Sequence, residues 1–211
     1  MKDIVVIGAG GFGREVEWLI EDINKTDKSW NFLGFIDENV RVGQKIGKSS
    51  VIGDLSWFKT HKCHAILAIG NPLAKATTIE KIHAYELSFP ILIHPSVIMS
   101  SQVTLGEGSV ICAGCILTTN ILIGKHVIIN LDCTIGHDAI IDDFSTVLPS
   151  VNISGFVKVG KKVSLGTGTQ IIQNIEVGEN TIVGAGSVVV KSLPSHCTAV
   201  GVPAKVIKTS N

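Results

Sequence analysis

The chain has 211 residues, 45% of them hydrophobic and only 17% charged, so burial is ample and the composition excludes intrinsic disorder. Eighteen Lys and Arg balance eighteen Asp and Glu, for a formal net charge of zero. With no basic run, nucleic acid and anionic membranes are excluded as main partners.

Met1-Lys2-Asp3 leads into an apolar run too short for a signal peptide or a membrane span. Asp3–Ile7 predicts a first strand. Gly8-Ala9-Gly10-Gly11-Phe12-Gly13 follows in the pattern G-x-G-x-x-G, and Val16, Leu19, Ile20 and Ile23 then recur at helical spacing. A second strand over Phe32–Ile36 ends at Asp37-Glu38, and the polar stretch Lys45–Gly53 reads as a loop. A third strand, Ala65–Ile69, ends at Gly70-Asn71-Pro72, after which a helical pattern runs to about Leu87. Residues 1–90 thus read as a βαβαβ half-Rossmann domain. A glycine turn that opens a helix presents N–H groups to phosphate, and an acid at the end of the second strand can bond a ribose hydroxyl. About ninety residues hold one mononucleotide-binding half and not two, which disfavours NAD. The alternative is that the glycines serve only tight strand–helix packing.

From Ile93 to Val189 every sixth residue is aliphatic. Two positions earlier stands a small or β-branched residue, as at Ser109, Cys115, Val127, Cys133, Ala139 and Ser145. A period of six is neither helical nor that of a plain strand; it fits one short strand plus a turn. Glycine recurs just after the aliphatic, at Gly106, Gly124, Gly136, Gly160, Gly166, Gly178 and Gly184, where a turn with positive φ is expected. Gly106, Gly124, Gly160 and Gly178 share a period of eighteen, so three sides close one coil. Residues 91–211 predict a three-sided parallel β-helix of about five coils, stacked about 4.8 Å apart, with a C-terminal tail.

The five cysteines are an odd count without a secretory signal, which points to reduced thiols and a cytoplasmic protein. Cys115 and Cys133 fall on the inward ladder, so the C-x-x-C formed with Cys112 reads as core packing rather than a metal or redox site. Of seven histidines only His126 and His137 lie in the main coil. His126 is expected to be solvated in its turn. His137 follows Ile135-Gly136 at a corner and precedes Asp138, so the two could form a base and its orienting carboxylate. The alternative is an inert surface histidine.

Several segments together resemble one family. They are Val6-Ile7-Gly8-Ala9-Gly10-Gly11-Phe12-Gly13, Phe35-Ile36-Asp37-Glu38, Ala68-Ile69-Gly70-Asn71, Leu92-Ile93-His94-Pro95, Asn130 seven residues before His137-Asp138, and Gly201-Val202-Pro203-Ala204-Lys205. In this order they resemble the bacterial hexapeptide-repeat sugar acyltransferases. That family includes sialic acid O-acetyltransferases and UDP-4-amino-sugar N-acetyltransferases, such as the UDP-N-acetylbacillosamine-forming enzyme. The resemblance implies a left-handed β-helix, a homotrimer with active sites at subunit interfaces, acetyl-CoA in a groove between coils, and no metal. It makes His137 the general base, Asp138 its orienting partner and the Gly155 backbone the oxyanion donor. Asn130 would position the acceptor sugar. Gly10, Gly11, Phe12, Asp37, Glu38, Gly70 and Asn71 match the nucleotide-sugar site. Gly155, Gly166, Thr167, Ala185, Pro203, Ala204 and Lys205 match the CoA groove, and so does Thr146, which stands where members often carry a second histidine. Asn39 replaces the basic residue that some relatives place after the acidic pair.

The expected activity is acetyl-CoA-dependent N-acetylation of a nucleotide-activated amino sugar for surface glycan biosynthesis. The alternatives are O-acetylation of sialic acid or another sugar hydroxyl, and a non-catalytic nucleotide-sugar-binding scaffold. A zinc hydratase on the same coil would need three histidines per metal, whereas His126 and His137 stand eleven residues apart, on no common ladder.

Overall fold

The computed structural model describes residues 1–209. The chain opens with β1 (Lys2–Ile7), α1 (Gly11–Thr26), β2 (Trp30–Ile36), β3 (Lys45–Ile46), β4 (Ser49–Gly53), β5 (His64–Leu67) and α2 (Pro72–Ile82). They form one sheet in the order β3-β4-β2-β1-β5, parallel except for the β3–β4 hairpin. The last four residues of β1 are all buried, as a central strand covered on both faces requires. α1 buries Val16, Leu19 and Ile20 against the sheet. Asn71 caps α2 by accepting from the Ala74 N–H at 2.9 Å, and Pro72 occupies the first turn, where its missing N–H costs nothing. α2 ends at Ile82 and gives way to a 3-10 turn, short of the predicted Leu87.

Lys45–Gly53 is not the expected loop but an edge hairpin. Its polar residues face outward, and only Val51 and Gly53 of β4 are buried, too few to give a visible alternation.

The β-helix follows. Its strands are mostly two residues long, and each pairs in parallel with the strand eighteen residues later, as Ile135 does with Ile153. Three faces of six, five and eight strands result, the last closing with Cys197–Val200 and the antiparallel tail Lys205–Thr209. Both inward ladders are buried over most of their length. Hydroxyls on the small ladder reach across the interior to carbonyls, as Ser109 Oγ does to Gly124 and Ser145 Oγ to Gly160, both at 2.8 Å.

The glycines after the aliphatic do not carry positive φ. That conformation falls two residues later, at every sixth position from Gly108 to Gly186, including His126, Asp138 and Phe156. The glycines are there because successive coils almost touch. A Cβ on Gly106 would lie 2.5 Å from the Gly124 carbonyl, and one on Gly166 would lie 2.4 Å from the Ala185 nitrogen.

The N-terminal domain covers the eight-stranded face. One apolar core runs from Ile4 and Phe35 into Leu92, Val110 and Cys112 of the first coils. His94 joins Asp22 of α1 at 3.0 Å and packs against Trp18. Lys75 of α2 is fully buried, donating to the Ser145 carbonyl at 3.1 Å and to Thr146 Oγ1 at 3.0 Å. Burial pulls its ammonium down to about 7. His126 is not solvated as its turn suggested. It is 4% exposed, set between Phe89 and Phe144, and its Nδ1 has no partner among the described residues. Burial lowers its pKa from 6.5 to about 4. No described helix is long and apolar enough to cross a membrane.

Between pH 6.5 and 4 the unfolded chain therefore takes up a proton at His126 that the folded chain refuses. Stability falls as pH falls through that window, by about 3 kcal/mol when complete. Replacing the ring in His126→Phe is expected to shrink the loss of Tm between pH 7 and about pH 4.5. An unchanged pH dependence in thermal melts would contradict this.

Candidate active site

His137 and Asp138 form the corner between Thr134–Ile135 of the six-stranded face and Ile140–Ile141 of the five-stranded face. Asp138 takes the left-handed conformation, φ 59°, which short polar side chains tolerate. His137 Nδ1 lies 2.8 Å from Asp138 Oδ2. Asp138 Oδ1 accepts from the side-chain amide of Asn120, at the same corner one coil earlier. The Asn120 bond first, and the His137 bond second, hold the Asp138 carboxyl below the usual carboxylate range. An ionised carboxylate accepts Nδ1–H and leaves the Nε2 lone pair free.

Two residues of the next coil fix the ring's other sides. Phe156 stands edge-on to it at 5.1 Å, which accounts for the bulky side chain beside Gly155. Gly155 lies against the ring, where a Cβ would come within 2.5 Å of Cε1 and 2.7 Å of Nε2. Its N–H has no acceptor among the described residues. His137 remains half exposed, and its Nε2 has no partner among the described residues, so the site is a pinned imidazole open to solvent.

At the other site, the glycines of the first turn divide by role. Gly8, at φ 108°, would place a Cβ 2.9 Å from the Ala68 carbonyl, and Gly13 would place one 2.2 Å from the Gly8 carbonyl. Those two are required by the fold. A Cβ on Gly10 would meet nothing within 4 Å, and one on Gly11 only the Arg14 guanidinium at 3.9 Å. Gly10 caps α1 without a side-chain bond, which leaves first-turn N–H groups open to an anion. Asp37 accepts from the N–H groups of Ala9 and Asn39, each at 2.8 Å, and so holds the turn itself. With Gly8, Glu38 and Lys81 it also lines a cavity of about 360 Å³. Phe12 packs against the core of its own domain. Gly70 and Asn71 line a second cavity of about 320 Å³ with Leu148, Lys162 and Ser164 of the coil, so of the expected nucleotide-sugar residues Asp37 and Glu38 border one hollow, Gly70 and Asn71 another, and Gly10, Gly11 and Phe12 neither.

Asn130 sits one corner away from His137, between the eight- and six-stranded faces, and its Oδ1 accepts from the Leu131 N–H at 2.7 Å. Gly166, Thr167 and Ala185 stack at that same corner, with Thr167 and Ala185 exposed. The Ala204 N–H bonds the Val188 carbonyl at 2.8 Å, which draws Pro203, Ala204 and Lys205 toward this edge. Glycine-flanked, exposed small residues leave a smooth shelf for a long thin ligand. Thr146 does not belong to it. It is enclosed beneath Lys75, so its hydroxyl is out of reach of a groove ligand.

Sequence reading missed Asn120 and gave the bulky Phe156 no role, although each stands eighteen residues from Asp138. It also missed Lys75 and Lys81, which carry no signal beyond a helical pattern. Among the described residues no group of three or more His, Cys, Asp or Glu could hold a metal.

The PglD N-terminal domain family matches residues 3–82. GDP-perosamine N-acetyltransferase of Escherichia coli O157:H7 is 28% identical over 97% of this chain and 96% of its own length. A histidine-to-asparagine variant of perosamine N-acetyltransferase from Caulobacter crescentus, solved with CoA and GDP-perosamine, matches with TM-score 0.90 at 29% identity, covering 99% of this chain and 98% of that one. The chain is thus similar along nearly its whole length to nucleotide-sugar N-acetyltransferases. The acetyltransferase domain of PglB from Neisseria gonorrhoeae FA1090 also matches with TM-score 0.90, at 28% identity over 98% of this chain and all of that one. A serine acetyltransferase of Buchnera aphidicola is 35% identical over 137 residues, and this chain spans about half, 48%, of that relative's length. The fold class is a half-Rossmann domain followed by a left-handed parallel β-helix.

The division among glycines in this acyltransferase gives a test. Gly13→Ala is expected to lower Tm strongly, because backbone must move to admit the methyl. Gly10→Ala should leave Tm nearly unchanged while weakening nucleotide binding seen by calorimetry. Equal loss of stability in both variants would refute the distinction.

Proposed function

We propose that this protein transfers the acetyl group of acetyl-CoA to the amino group of a nucleotide-linked sugar, with His137 as general base and the surface glycans as destination. The observation that carries the reading is the imidazole pinned by Asp138 at a coil corner, in a chain that also holds an open glycine turn at a helix N-terminus. The names of the perosamine relatives support the substrate class.

The neutral amine attacks the thioester carbonyl carbon. A C–N bond forms, the C–S bond breaks, and His137 Nε2 takes the amine proton, from which the CoA thiolate can be reprotonated. The free Gly155 N–H suits the oxygen on which negative charge develops. Gly166, Thr167, Ala185 and the Pro203-Ala204-Lys205 tail would hold the CoA. Gly10, Gly11 and Asp37 would hold the nucleotide, and Asn130 the acceptor sugar.

The working unit is a homotrimer with sites between subunits. The nucleotide-binding domain packs on the eight-stranded face, whereas His137 occupies the opposite vertex of the prism. A six-residue side spans up to about 20 Å, so a sugar held by one chain is better placed for the base of another. Closed rotational symmetry repeats that contact three times without leaving an open end.

His137→Ala is expected to lower kcat roughly 10²–10⁴-fold with the trimer intact. Near-wild-type turnover would sink the assignment. Asp37→Ala should raise KM for the nucleotide sugar and leave KM for acetyl-CoA unchanged. Mixed trimers of the two variants, assayed below the raised KM, should recover activity, because some sites pair an intact base with an intact pocket. No recovery in trimers shown to be mixed would place both functions in one chain.

A further inference from the structure

We propose that Glu38 and Lys81 read the nucleobase of the substrate and that the base they select is guanine. The inference rests on the nucleotide-sugar reading above and adds the identity of the base.

The cavity of about 360 Å³ lies at the carboxyl ends of β1 and β2, on the side of the sheet covered by α2. Ligands of open α/β sheets bind at such strand ends, and the volume falls within the roughly 300–1,000 Å³ of small-molecule sites. Ile7, Ile36, Leu55 and Ile69 give it apolar wall on which a flat ring can lie, with Asn39, Thr77 and Thr78 as the uncharged polar side chains of the lining. Gly8 and Asp37 border it, so it adjoins the glycine turn through the residue that holds that turn. A diphosphate at the start of α1, followed by a ribose beside Asp37, would deliver its base into this slot.

Glu38 and Lys81 face each other across the rim, one from the end of β2 and one from the last turn of α2. Glu38 Oε2 lies 2.7 Å from Lys81 Nζ, and both side chains are about half exposed. This pair uses one carboxylate lone pair and one of three ammonium hydrogens. Neither group has another hydrogen-bond partner among the described residues, so Glu38 keeps Oε1 and Lys81 keeps two donors. The pair also supplies a cation where Asn39 has none to offer.

Only guanine presents two adjacent N–H donors on its pairing edge, N1–H and N2–H, with the O6 acceptor beside them. A carboxylate accepts both donors in the bidentate fork that gives the strongest geometric selection, and an ammonium alongside can donate to O6. Uracil offers one N–H between two carbonyl oxygens, so a fork that engages it meets a carbonyl with its second oxygen. Adenine and cytosine each place a ring nitrogen lone pair beside their single amino group, with the same repulsion. A site built around hydrogen bonds rejects ligands that leave its polar groups unpaired.

The test is calorimetric titration of the intact protein with GDP and UDP, alongside acetyl transfer from acetyl-CoA to a GDP-linked and a UDP-linked 4-amino sugar. GDP is expected to bind at least about tenfold tighter than UDP, equivalent to about 1.4 kcal/mol. Glu38→Gln, which can no longer accept at both positions, should abolish most of that preference, and Lys81→Met should reduce it. Both variants should keep the wild-type Tm, because an exposed pair contributes little to stability. Equal or tighter binding of UDP, or a preference for GDP that survives Glu38→Gln, overturns the proposal. Acetylation of the UDP-linked sugar as fast as the GDP-linked one overturns it while leaving the acetyltransferase reading intact. If neither sugar is acetylated, that reading fails, and the GDP–UDP binding ratio alone decides the base.

Discussion

At every sixth residue from Gly108 to Gly186 the backbone turns through positive φ, and ten of those fourteen positions are not glycine. The conformation costs an ordinary residue about 1–2 kcal/mol, so something must hold it. All of them except Gly114 and Asn120 donate the N–H to a carbonyl one coil earlier, as Asp138 does to Thr119 at 3.1 Å and Phe144 to Lys125 at 2.8 Å. The bond closes the corner and fixes the spacing of the coils together. It also sets side chains from successive coils one above another along each edge. Asn120, Asp138 and Phe156 are one such column, and the His137–Gly155 pair is its neighbour. The candidate catalytic cluster is a product of the corner geometry rather than an insertion into it.

The same device gives the opposite result at another edge. His126, Phe144 and Lys162 form a column there, but the N-terminal domain closes over its start, and the imidazole of His126 is sealed between two aromatic rings. Nearby, Lys75 enters the interface with no carboxylate among the described residues to meet it, only a carbonyl and the Thr146 hydroxyl. A histidine at position 146, where the family resemblance would place one, would lack the hydroxyl that accepts from Lys75 and could itself become a second cation. Threonine at that position and lysine on α2 are thus one arrangement, which encloses the Thr146 hydroxyl.

Much of this was legible in the chain. The six-residue ladder marks one row of inward aliphatics along the coil, and the eighteen-residue period of the glycines, broken only at Asp142, counts the faces. The glycine turn and Asp37 were visible because their spacing is local. The role of the later glycines was not, since close approach of coils and positive φ both exclude other residues and look alike in sequence. Burial of His126 and Lys75 depends on where a separate domain docks, which no local pattern encodes. The pairing of Glu38 with Lys81 spans 43 positions and has no period to reveal it.

Buried polar groups without counter-charges are costly, and two of them lie between the domains here. Their position suggests what the cost offsets. If the base of one subunit serves the nucleotide pocket of another, each N-terminal domain must be held at a fixed angle to its own coil, or the sugar misses its target by more than the chemistry tolerates. An apolar interface alone permits sliding, because its contacts are non-directional. Directional bonds do not. Asp22 with His94 fixes α1 at the first coil, and Lys75 with Ser145 and Thr146 fixes α2 three coils further along. Two anchors on different helices remove both the slide and the pivot. The domain interface then works as a jig that sets one subunit's substrate against the next subunit's base.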